Sequence, residues 1–164
     1  MGRLAEPRAK HMNRQGPSSP PAARTIDRRP AETVQNVDQQ RVSRILERDA
    51  VEIDRTAHKI ATACAGLVRT QMRNFYGPIV RLRAELGHHF DPKSFSNALM
   101  MHRARVHYLA ARERGGNADS LRDWFSKIID DAVKQLTAEK VEAICDLAEA
   151  VVAYHYARKE QDNQ

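Results

Sequence analysis

Between Gly66 and Gly116 the chain carries nine cations, Arg69, Arg73, Arg81, Arg83, Lys93, Arg103, Arg105, Arg112 and Arg114, and only three acids, Glu85, Asp91 and Glu113. That surplus of six equals the formal net charge of all 164 residues, because an excess of bases before Gly66 is offset by an excess of acids after Gly116. Most of the 27 cations are arginine, whose planar fork grips a phosphate at two points and stacks on bases. Local acids are too few to pair with these cations, so the chemistry open to them is the holding of a polyanion. A basic middle followed by an acidic end suits a protein that lies along nucleic acid while packing against copies of itself.

The side chains that could do other chemistry are badly spaced for it. His88, His89, His102, His107, His155, Cys64 and Cys145 form no Cys-x-x-Cys or His-Glu-x-x-His spacing, so no metal site and no cofactor is expected. Asp130 and Asp131 are adjacent, cannot both face one centre from a helix, and lack a partner motif for acid–base or two-metal work. No catalytic residue is predicted. His102 and His155 fall on apolar stripes and are expected to be buried and hydrogen-bonded, with His88–His89 in a loop. Tyr76, Tyr108 and Tyr154 are expected to edge the core rather than stack on bases.

The elements that must position the arginines are all helical, since every segment after about Asn36 reads at helical period and none alternates as a strand would. A first helix is predicted from Asp38 to Ala65, with a break near Asp49 and Gly66 as its stop. A second starts near Thr70, read as its cap, and ends at Gly87, with Gly77–Pro78 expected to kink or restart it. The third opens at Asp91–Pro92 and closes at Gly115–Gly116; the fourth runs from Asp119 to Gln135, and Thr137 begins the fifth. One apolar stripe per helix and short loops predict an all-α, compact antiparallel bundle of about five helices over residues 38–164. At 100° per residue, Arg105 and Arg112 share one flank of the third helix, and Arg103, His107 and Arg114 share the other. On the second helix Arg69 and Arg73 are neighbours one turn apart.

Residues 1–37 contain Pro7, Pro17, Pro20, Pro21 and Pro30 and almost no bulky apolar side chain, so a disordered basic tail is expected. His11–Met12 resembles a cloning-site scar, which would make some residues before it vector-derived. No apolar run approaches the ~20 residues a membrane span needs, no secretion signal is read at the start, and the cysteines lie in helical patterns. A cytoplasmic protein, not attached to a membrane, is the expectation.

Three segments resemble one family. Leu67-Val68-Arg69-Thr70-Gln71-Met72-Arg73-Asn74-Phe75 is similar to the Leu-Thr-Thr-x-Gln-Ile/Leu-Arg-Lys-Phe entry of a central helix in the small subunit of type III-A CRISPR (Csm) effector complexes. Arg103-Ala104-Arg105-Val106-His107-Tyr108-Leu109-Ala110-Ala111-Arg112 resembles that family's Lys-x-Lys-Leu-x-Tyr-Ala-Ala-x-Arg. Glu149-Ala150-Val151-Val152-Ala153-Tyr154-His155 resembles its closing Glu-Ala-x-Val-Ala-Tyr-His. The resemblance implies a non-catalytic helical bundle. Several copies would line the groove of a ribonucleoprotein beside its backbone and large subunits, holding guide RNA and target RNA through phosphates. It carries Arg73, Arg103, Arg105 and Arg112 as RNA contacts, with Gln71 and Arg69 at the helix entry; Arg81 and Arg114 join them on charge. Val68 and Arg69 replace two threonines of the pattern, Asn74 replaces a lysine, and Gly77–Pro78 interrupts a helix that is continuous in the family. Arg83 is expected to turn toward the core and ranks below the rest.

The sequence thus predicts a non-enzymatic RNA-binding subunit of an RNA-guided antiviral complex. Two other classes fit the charge: a stand-alone helical DNA-binding or nucleoid-type protein, and a helical adaptor for an acidic protein. Co-purification separates them, since each would bring down different material: guide RNA, bulk DNA, or protein alone.

Overall fold

The computed structural model describes Gly2 and residues 37–161. The Pro-rich tail expected over residues 1–37 lies, Val37 and Gly2 apart, outside the described residues, as do the last three residues of the 38–164 domain. Every regular element among those described is helical: α1 Gln39–Leu46, α2 Ala50–Ala63, α3 Arg69–Leu86, α4 Pro92–Arg112, α5 Asp119–Ala132 with a 3₁₀ turn Val133–Gln135 behind it, and α6 Ala138–Gln161. Among the described residues there are six helices rather than about five because the first predicted helix is two. Arg48 takes a left-handed φ of 61° between them. Asp49 then restarts the chain, its Oδ1 accepting the amides of Val51 and Glu52 at 3.0 and 3.1 Å.

The start of α3 also differs from expectation. Val68, extended at φ −83° and ψ 159°, is the cap residue, and Gln71 Oε1 accepts its amide at 2.8 Å. Thr70, expected as the cap, lies inside the first turn. The boundary moves because Leu67 is fully buried and its carbonyl accepts His155 Nε2 of α6 at 3.1 Å, which fixes the chain just before Val68. Nor does Gly77–Pro78 restart the helix: α3 is continuous from Arg69 to Leu86. The proline withholds one hydrogen bond, while Met72 and Phe75 before it and Ile79 and Leu82 after it stay in the core. By contrast, α4 starts as predicted, with Asp91 Oδ2 accepting Ser94 N–H at 2.9 Å and Pro92 in the first turn. The loop after it turns at Gly116, φ 74°, where a side chain would be strained.

Helix α6 is the axis of the bundle, packed on α1, α2, α3 and α5. Its buried residues Val141, Ala143, Ile144, Leu147, Ala148 and Val151 wrap more of the helix than one stripe, as a helix enclosed by others requires. One core runs through these six helices, with Trp124 of α5 as its largest side chain. Among the described residues, no helix is long and apolar enough to cross a membrane.

Candidate nucleic-acid interface

Helices α3 and α4 pack side by side and leave between them a groove of about 580 Å³. Arg73 and Arg81 of α3 stand on one wall, and Arg105 and Arg112 of α4 on the other. The floor includes Phe75 and Val106, buried to 2 % and 1 % exposure. The amphipathic period explains the arrangement: once Phe75 and Val106 face the core, their sequence neighbours are turned to the groove's edges.

Five of the eight predicted contact residues line this groove, namely Gln71, Arg73, Arg81, Arg105 and Arg112. The other three do not. Arg69, at the entry to α3, sits with its Cζ 5.7 Å from the ring centroid of Tyr156 on α6. Arg103 faces the opposite flank of α4 and is paired to Asp130 of α5, with Nε 2.9 Å from Oδ1 and Nη2 donating to Oδ2 at 3.0 Å. Arg114 follows the end of α4 and is exposed. Its loop is held by Glu113, whose carboxylate accepts the amides of Gly115 and Asn117 and the Asn117 side chain.

Several cations outside the groove are paired within the molecule. Arg83 does not enter the core but pairs with Asp146 and with Glu149 at 2.6 Å, Arg48 with Glu142 and Asp146, and Arg122 with Asp119 and Asp123. Acids from the second half of the chain therefore reach back to bases that local counting left unpaired. Among the described residues, Arg69, Arg73, Arg81, Arg105, Arg112 and Arg114 form no ion pair.

Tyr108, expected at the core edge, is 62 % exposed on the groove. Val106 and Ala110 take the inward positions beside it. Its place three residues after Arg105 and four before Arg112 was the signal that it belongs to the arginine row. Asn74, Gly77 and Pro78 line the groove as well and carried no charge to mark them. Tyr76 is half-buried against the core, and Tyr154 donates its hydroxyl to Asp54.

Burial favours the neutral forms of His102, His155, Cys64 and Cys145. His155 is buried and hydrogen-bonded, as predicted, and burial lowers its pKa. His102 is buried too, yet neither ring nitrogen has a hydrogen-bond partner; it packs against Phe75 and Phe125 at 5.4 and 6.3 Å. Burial, then the Arg105 charge, pushes it down to about 4, which keeps the imidazole neutral. His107 Nε2 lies 2.8 Å from Ser126 Oγ on the α5 side. Cys64 and Cys145 are free and buried, and desolvation pushes Cys64 up to about 12. Among the described residues, no three His, Cys, Asp or Glu side chains come together as a metal site would require.

Comparison with known proteins finds one family. The family description Csm2 Type III-A matches residues 47–161, a span that takes in α2 to α6 and both walls of the groove. No curated protein and no solved structure matched. With more than half of its length covered, the chain belongs to the Csm2 family of type III-A CRISPR systems and is a subunit of the Csm complex.

Proposed function

We propose that the α3–α4 groove is the surface by which this subunit holds guide and target RNA inside the type III-A complex. Several copies lie along the RNA beside the backbone and large subunits. The subunit does no chemistry: base pairing supplies sequence choice, and the protein supplies charge and shape to an antiviral complex in the cytoplasm. The observation that carries this reading is the convergence of Arg73, Arg81, Arg105 and Arg112 on one groove, without ion pairs among the described residues. Arg69 and Arg114 extend the basic surface at the ends of α3 and α4, and Arg103 adds to it only when Asp130 releases it. The sharing of RNA contacts among arginines makes binding sequence-independent and strongly salt-dependent.

Replacing Arg73, Arg105 and Arg112 with alanine tests the assignment. The residues are exposed, so helicity and melting should be unchanged. RNA affinity in the reconstituted complex should fall, and the slope of log affinity against log salt should flatten by roughly one per lost phosphate contact. Unchanged affinity and slope in a folded triple variant would remove the groove from the RNA path.

A further inference from the structure

We infer that the α3–α4 groove takes an unpaired nucleobase of the bound RNA, with Tyr108 as its stacking surface and the groove arginines on the flanking phosphates, so that a free single strand binds it more tightly than an uninterrupted duplex. This rests on the reading of the groove as an RNA surface and goes beyond backbone contact. Phosphates need only a charged surface, whereas here the charges rim a hollow of about 580 Å³ floored by Phe75 and Val106. Tyr108 offers 62 % of its surface to solvent. The Arg112 guanidinium sits at its hydroxyl end, with Nη1 donating to the phenol oxygen at 3.2 Å and Cζ 5.5 Å from the ring centroid. An aromatic ring beside a cation is what a base meets in sequence-tolerant single-strand sites.

The opposite wall is shaped for the same occupant. A Cβ on Gly77 would meet nothing within 4 Å, so the missing side chain leaves open space where a base would enter. Asn74 and Pro78 line the same wall, and the Asn74 side-chain amide offers an acceptor and a donor to a base edge. An A-form duplex keeps its bases stacked inside and presents phosphates and 2′-hydroxyls, which leaves such a hollow unfilled.

The test uses the full chain at low salt and three probes: a short single-stranded RNA carrying one 2-aminopurine, the same strand with an abasic site there, and the same strand annealed to its complement. The single strand should bind tightest, with a change in 2-aminopurine emission. Tyr108→Ala should weaken that binding about tenfold or more without altering its salt slope, and Tyr108→Phe should restore it. If Tyr108→Ala, the abasic probe and the duplex all bind like the parent pair while Arg105→Ala still flattens the slope, the groove holds backbone only and the inference is wrong. If Arg73→Ala and Arg105→Ala also leave binding and slope unchanged, or no probe binds the parent chain, the RNA surface falls and the inference with it.

Discussion

His102 shows how one residue can set the acid limit of this fold. Its ring is 2 % exposed, and both nitrogens lack partners, so the neutral form is strongly favoured in the folded chain. The folded-state pKa is about 4, below the ordinary value near 6.5. Between those values the unfolded chain binds the extra proton, so stability is complete above about pH 6.5 and declines as pH falls toward 4, by at most about 3 kcal/mol. His102→Leu keeps a similar volume and removes the orphaned nitrogens. It should raise stability at pH 7 by about 1–3 kcal/mol and flatten the decline. Urea unfolding at pH 7, 5.5 and 4.5 checks both. A residual slope is expected from His155, also lowered by burial, and from Asp49 and Asp131, which hydrogen bonds from Arg44 and Lys134 hold below the usual carboxylate range. A variant with the parent's full slope would assign the acid sensitivity to those groups instead.

At the scale of the element, what could be read from the sequence was what short-range chemistry decides. The Asp91–Pro92 start of α4, the break at Asp49 and the shared flank of Arg105 and Arg112 follow from local side-chain spacing, whereas Arg114, read onto the row of Arg103, lies past the end of α4. The start of α3 is not local either, because it is pinned by His155, 88 residues away. The all-round burial of α6 needs the neighbours that surround it. The same division holds in the site: periodicity placed Arg105 and Arg112 together, but the partners of Arg103 and Arg83 lie 27 and 63 residues further on. Gly77 in α3 offers a direct test of element and site together. Beyond its chain neighbours and the helix backbone, an added Cβ would meet no atom within 4 Å, but a Cβ directly before Pro78 crowds the proline Cδ in the helical conformation, which offsets the roughly 0.5–1 kcal/mol that alanine gains over glycine in a helix interior. Gly77→Ala should therefore change stability by less than about 1 kcal/mol in thermal or urea unfolding. A larger loss would mean that α3 needs glycine's freedom at this position.

For the whole molecule, the deciding feature is where the acidic half sends its charge. Asp119, Asp123, Asp130, Asp131, Glu142, Asp146 and Glu149 all pair with cations of the same chain. Copies stacked along RNA could recruit these acids only by exchanging an internal pair for an external one, at little net gain, since exposed pairs are typically worth ~0–1 kcal/mol. The internal pairing instead occupies Arg48, Arg83, Arg103 and Arg122 outside the groove, while the groove's own arginines, like Arg69 and Arg114 at its ends, stay bare among the described residues. Arg103 stands at the boundary, because one carboxylate, that of Asp130, takes it out of the free set. Removing that carboxylate should return it. Asp130→Asn is expected to raise RNA affinity about two- to fivefold at low salt and to steepen the salt dependence by up to about one contact, with the bundle still folded. Arg103→Ala in the parent chain should change binding far less than Arg105→Ala, yet in the Asp130→Asn background it should cancel the gain. Titrations at three salt concentrations on the five chains, parent, three single variants and the double variant, decide the matter. Should Arg103→Ala weaken the parent as much as Arg105→Ala does, with Asp130→Asn silent, then Arg103 reaches RNA through its ion pair, and internal pairing does not select the cations that bind.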